Sequence, residues 1–147
     1  MEYKLAFLGF GNVGKALAKL LLKKEAELQQ RYDITFKVTG ISTGKHGSAI
    51  NLQGIDLQKA LDASDYKSFS AVAAPADAFE FIRQCGADIL FENTPVNYET
   101  GQPAVDHLRL ALELGMHAIT ANKGPVVHAY DELTSLAKSK KRKFFFE

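Results

Sequence analysis

The most constraining feature of this chain lies in KLAFLGFGNVGKALAKLLL, where an apolar run meets Gly9, Gly11 and Gly14 in a G-x-G-x-x-G pattern and a helical period begins. Few local structures fit this order: an extended segment, a tight turn at the glycines, then a helix. In GNVGKALAKLLLKKEAELQQ, Val13, Leu17, Leu20, Leu21 and Leu28 fall on one face and Lys15, Lys19, Lys23 and Glu27 on the others, which predicts a helix packed on a sheet. DITFKVTGIS reads as a second strand ending near Ser42.

The alternation continues along the chain. STGKHGSAINLQG is glycine-rich and polar and reads as loop. Weak helices follow around IDLQKALDA and PADAFEFIRQC, with a faint strand near SFSAVAA between them. ADILFENTP reads as a buried strand ending at Asn93 and Thr94, and PAVDHLRLALELG as a helix opened by Pro103 and closed by Gly115. MHAITANKGP is a strand with a polar exit. Pro125 then sits in the first turn of a last helix with Val126, Tyr130, Leu133 and Ala137 on its apolar face, before KFFFE forms a final strand. Strands alternating with helices predict an α/β protein with a Rossmann-type, doubly wound, mostly parallel sheet and helices on both faces. With 147 residues, 46% hydrophobic, the expectation is one domain spanning 1–147.

Gly9 is expected to make the tight turn, Gly11 to admit a pyrophosphate against the backbone, and Gly14 to let helix and sheet pack closely, while the helix N-terminus offers N–H groups to the anion. This is a dinucleotide reading. The same stretch fits G-x-x-x-x-G-K, a nucleoside-triphosphate frame, but Ala16 stands where a magnesium-binding Ser or Thr is needed. An acidic residue at the end of the second strand would mark a free ribose 2′-hydroxyl; Asp33 has the right offset but sits at the start of that strand. The exit carries Ser42, Thr43 and Lys45, which suit a 2′-phosphate better, so NADP is favoured over NAD. Lys45 as an ordinary solvated loop lysine is the competing reading. Ligands of such sheets lie beyond the carboxyl ends of the strands, which makes Asn93 a candidate cofactor-binding residue and directs Thr94 and Lys123 toward the nicotinamide half.

In order and at fitting intervals, GFGNVGKAL, ISTGKHG, ENTPVNYETGQPA, ALELGMHAITANKGPV and FFFE resemble the amino-terminal nucleotide-binding region of homoserine dehydrogenases, over essentially the whole chain. The resemblance implies NAD(P)-dependent interconversion of L-homoserine and L-aspartate 4-semialdehyde, a step toward threonine and methionine. It implies that Phe10, Asn12 and Val13 line the cofactor, that Thr94 approaches the nicotinamide and that Lys123 lies near the reacting centre. Glu147 matches a glutamate that helps bind a monovalent cation such as Na+. Family members continue into a substrate-binding, dimerising region. The expectation is therefore a cofactor domain that turns over little homoserine alone, carries no catalytic residue of its own, and belongs to a homo-oligomer in complete form. The lack of a kinase-like region upstream argues against an aspartokinase fusion. Competing readings are another amino-acid oxidoreductase, such as an aspartate dehydrogenase, and a dinucleotide-sensing module without chemistry.

Other features read more plainly. Eighteen basic against 17 acidic side chains, net +1, call for no nucleic acid and no membrane, and the expected partners are a small cofactor and substrate. Cys85 as the only cysteine, with no leader-like or membrane-length apolar run, suggests a cytoplasmic protein. His46, His107, His117 and His128 lack metal-ligand spacing, and KSKKRK at 138–143 reads as cations closing a helix. The apolar FFFE end predicts self-association of the chain.

Overall fold

The run Leu5–Ala6–Phe7–Leu8 is buried on both faces, which makes β1 (Glu2–Leu8) a central strand. In the computed structural model, which describes residues 1–147, β1 pairs in parallel with β2 (Thr35–Ser42) on one side and β4 (Ile89–Glu92) on the other. Next to β4 come β5 (His117–Thr120) and then β6 (Phe144–Phe146), both parallel, while β3 (Ser48–Ile50) closes the opposite edge antiparallel to β2. The order β3-β2-β1-β4-β5-β6 reverses direction between β1 and β4, and a crevice opens there beyond the carboxyl ends. Register brings those ends level: Leu8 lies beside Ser42 and Glu92, Glu92 beside Thr120, and Thr120 beside Phe146.

α1 (Asn12–Tyr32) and α2 (Leu57–Asp62) cover one face, where Ala18, Leu57 and Ala60 pack with Leu5, Phe7, Val38 and Ile41. On the other face, α3 (Ala78–Gln84) and α4 (Ala104–Glu113) bring Phe81, Ile82 and Ala111 against Ala6, Leu8 and Leu90. α5 (Lys123–Ser139) joins them through Ala129, Leu133 and Ala137, packed on Leu108, Leu112 and Ala118. Pro103 caps α4, and Gly115 follows it at φ +87°, as their positions predict. No helix is long and apolar enough to cross a membrane.

Four expectations need correction. The stretch after Ser42 is not all loop, because β3 adds a three-residue edge strand, too short to show a period in sequence. The faint strand near SFSAVAA is absent; a 3-10 turn at Lys67–Phe69 stands there, and Ser70 and Ala71 merely donate to the Ile50 carbonyl. In α5, Ala129 leaves helical geometry (φ −144°, ψ 26°), which turns Pro125 and Ala129 inward beside Leu133 and Ala137 and leaves Tyr130 45% exposed. α1 buries its small residues, Gly14 and Ala18, whereas Val13 and Leu20 are about half exposed. They flank a 530 Å³ groove shared with Ile119, Phe145 and Phe146, because no helix of the chain covers β5 and β6 on that face.

Candidate functional site

The glycine loop makes the tight turn expected at Gly9 and the close helix seating expected at Gly14. Gly9 has φ +94°, and a Cβ there would lie 2.6 Å from the Asn93 carbonyl oxygen, so the exits of β1 and β4 touch only because residue 9 lacks a side chain. A Cβ on Gly14 would lie 2.8 Å from the Gly9 oxygen, which sets how tightly α1 seats on the loop. Gly11, the N-cap of α1, has nothing within 4 Å of its Cβ position. The first turn of α1 has neither a side-chain cap nor an acidic residue, so its leading N–H groups and partial positive charge face an open approach. The Phe10 ring does not line that approach: it is 4% exposed, edge-on to Phe7 and Tyr66, and anchors the loop from the core side.

At the β2 exit, the Ser42 carbonyl accepts from the Gly9 N–H at 2.8 Å, and Ser42 Oγ lies 3.0 Å from Ser48 Oγ. Thr43 Oγ1 donates to the Gly47 carbonyl at 2.6 Å and accepts from the His46 N–H at 2.8 Å, folding a tight turn that leaves Lys45 exposed at its tip. The Lys67 stem packs over Gly47, a second cation that no local pattern in the sequence placed here. Asp33 caps the far end of α1, fully exposed, at the opposite edge of β2. A 400 Å³ cavity runs from Gly9, Ser42, Thr43 and Gly44 to Thr94 and Pro95, with Asp77 on its far wall. Asp77 also caps α3, accepting from the Glu80 N–H at 2.9 Å.

Thr94 also borders a second cavity of 260 Å³, with Val13, Asn93, Tyr98, Asn122 and Lys123. Lys123 is exposed at the first position of α5, where Asn122 caps the helix by accepting from the Gly124 N–H at 3.0 Å. A cation at a helix N-terminus opposes the helix dipole, so Lys123 is not there to stabilise α5. Asn93, which lines both this second cavity and the apolar groove, has its Nδ2 buried without a hydrogen-bond partner. Of the expected site residues, Gly9, Ser42, Thr43 and Thr94 line the first cavity and Val13, Asn93, Thr94 and Lys123 the second, while Gly11, Asn12 and Gly14 lie at the N-terminus of α1 and Lys45 stays in the exposed β2–β3 turn. Glu147 lies apart, on the apolar groove beside Phe146.

Sequence reasoning missed Glu92 and Asn122. Glu92 is fully buried at the end of β4 and accepts from Thr94 N–H, Thr94 Oγ1 and Thr120 Oγ1. A carboxylate inside an apolar strand was the available signal. The histidines do not converge with acidic or thiol groups, and no three such side chains gather anywhere in the chain. Cys85 is buried, and burial pushes its thiol pKa up, as befits packing.

Residues 9–147 match the family model described as homoserine dehydrogenase, NAD binding domain. The chain belongs to that family. It is 37% identical over 99% of its length to an NAD(+)-dependent homoserine dehydrogenase of Pseudomonas canavaninivorans, and 36% identical over 91% to a homoserine dehydrogenase of Methanocaldococcus jannaschii. It spans 43% and 40% of those relatives' lengths. A hyperthermophilic archaeal homoserine dehydrogenase solved in complex with NADPH is 25% identical and superposes over the whole chain with a TM-score of 0.81, the chain covering 44% of it.

Proposed function

We propose that this chain is the cofactor-binding domain of a homoserine dehydrogenase and holds NAD(P) along the crevice, serving in the whole protein the interconversion of L-homoserine and L-aspartate 4-semialdehyde. The carrying observation is the bare N-terminus of α1: the space a Cβ at Gly11 would enter is empty, while Gly9 and Gly14 are held by close contacts. A pyrophosphate fits that cradle, receiving the free N–H groups of α1. The ribose and adenine lie toward Ser42 and Thr43, and the nicotinamide half toward Asn93, Thr94 and Lys123. The orphaned Asn93 Nδ2 gains an acceptor in this arrangement. The bound cofactor supplies or accepts the hydride. Lys123 steadies its oxygen atoms and favours negative charge developing on a carbonyl oxygen near it.

NADP is the favoured cofactor, on the strength of Lys45 at the tip of the β2–β3 turn with Lys67 beside it. The opposite preference has one structural observation behind it: Asp77, whose carboxylate borders the 400 Å³ cavity and would receive ribose hydroxyls. For a monovalent cation the chain offers Glu147 alone, one oxygen donor group with no acidic or histidine cluster around it. Complete enzyme is proposed to be a homo-oligomer working in the cytoplasm.

Calorimetric titration with NADPH and, separately, NADH tests the reading. Saturable binding, weakened by Lys123→Ala, supports it, and the ratio of the two affinities decides between Lys45 and Asp77. Failure of both cofactors to bind refutes it.

A further inference from the structure

Glu92 lines neither cavity of the crevice, yet it is the hub of a closed circuit of hydrogen bonds beneath both. Its Oε1 accepts from Thr94 N–H at 2.8 Å and from the Thr94 hydroxyl, and its Oε2 accepts from Thr120 Oγ1 at 2.6 Å. Thr120 Oγ1 in turn accepts from Asn122 N–H at 2.9 Å. Asn122 Nδ2 closes the circuit by donating back to the carbonyls of Thr94 at 3.2 Å and Pro95 at 3.4 Å. Thr120 and Asn122 are nearly as buried as Glu92 itself.

Strand pairing does not need this arrangement. The sheet already joins β4 to β5 through its ladder, which ends where Ala121 N–H donates to the Glu92 carbonyl. Beyond that point no main-chain hydrogen bond links residues 93–97 to residues 122–125. The segments that carry Thr94 and Lys123 are held to each other by side chains, and the Glu92 carboxylate is the group that both sides share. A residue present for packing alone would be apolar, since a buried carboxylate is costly unless its donors are supplied.

We infer that Glu92 is a positioning residue for the cofactor: it fixes Thr94 and Lys123 relative to each other across the β4–β5 boundary without touching the ligand. This rests on the cofactor-domain reading above. Lys123 acts through a geometry that Glu92 maintains by way of Thr120 and Asn122.

The test is a double-substitution cycle on the 147-residue chain, with NADPH affinity and melting temperature read on the same samples. Glu92→Gln keeps the shape and one acceptor oxygen, but its amide must donate to Thr120 Oγ1, whose hydroxyl hydrogen then loses its partner. Lys123→Ala and Glu92→Gln are each expected to weaken NADPH binding on the order of tenfold. In the Glu92→Gln background, Lys123→Ala is expected to cost less than about threefold more, because a misplaced lysine has little left to lose. If Glu92→Gln does not fold, Thr120→Val cuts the same circuit from the β5 side, and the same loss of additivity is expected. Two independent tenfold losses, or failure of both variants to fold, would reduce Glu92 to a structural residue and overturn the inference alone. An unsubstituted chain that binds neither cofactor overturns the cofactor-domain reading, and the inference with it.

Discussion

Placing a methyl group at Gly9 and, separately, at Gly11 perturbs two neighbouring points of one loop with opposite surroundings. At Gly9 an alanine must hold φ +94°, which costs an L-residue about 1–2 kcal/mol. Its Cβ also meets Asn93 backbone atoms at 2.6 and 2.7 Å, and backbone cannot rotate aside as a flexible side chain can. Overpacking of that kind adds about 1–3 kcal/mol. A total of roughly 3 kcal/mol lowers the melting temperature by about 6–12 °C for a domain near this size. At Gly11 nothing lies within 4 Å and φ is −85°, so the penalty is roughly that of alanine against glycine at an N-cap, about 0.5–1 kcal/mol. The expected melting shift is then at most about 4 °C. Binding should rank the other way per unit of stability lost: Gly11→Ala stays folded but loses about tenfold or more in NADPH affinity, because its methyl stands where phosphate meets the α1 amides. Thermal melts followed by circular dichroism, paired with calorimetric titration, measure both quantities. NADPH binding by Gly11→Ala as tight as that of the unsubstituted chain would refute the anion cradle, and a Gly9→Ala melt unchanged within about 2 °C would refute the strand contact.

Three further outcomes are expected. Burial holds the His107 imidazole pKa below its ordinary value, so the unfolded chain binds the proton more readily; stability should fall as pH drops through the region below about 6.5, and His107→Leu should flatten that slope in urea titrations at several pH values. His117 is shifted the same way by burial and by Arg142, so flattening rather than abolition is the expected result, and an unchanged slope would rule out the His107 contribution. Arg109 Nε donates to Glu132 at 2.6 Å between α4 and α5, both side chains partly exposed, and Arg109→Ala should cost no more than about 1 kcal/mol, less in high salt; a loss above about 2 kcal/mol would contradict this. Phe145, 56% exposed on the open groove, should tolerate serine with little loss of stability while self-association seen by sedimentation at high concentration declines; equal association in both forms would place the contact elsewhere.

Where local chemistry decided the outcome, the sequence was readable. The glycine spacing, the Pro103 and Gly115 boundaries of α4 and the polar exits at Thr94 and Lys123 are each set within a few residues, and each stands where expected. Distant contacts decided the rest. β3 exists because residues 48–50 pair with 40–42, and its pattern is too brief to declare itself. The kink at Ala129 moves the buried face of α5 by one residue, which no periodicity announces. The solvent-facing flank of α1 carries Val13 and Leu20 like a core face, because the period reports only that a stripe is apolar. Glu92 was visible as a letter, but its meaning lies in two threonines, one two residues and the other 28 residues away.

The central position of the first strand has a consequence for how the protein is made. Both neighbours of β1 come later in the chain, and the Lys4 amide finds its partner in the Asp88 carboxylate only 84 residues downstream. At bacterial to eukaryotic elongation rates of about 5–20 residues per second, the Leu5–Leu8 run waits roughly 4–17 s with one edge unpaired. During that interval the apolar Leu5–Leu8 run has no partner on its β4 side. Conditions that slow the ribosome between codons 43 and 92 should therefore lower the soluble yield more than equal slowing after them, even though the finished protein is identical.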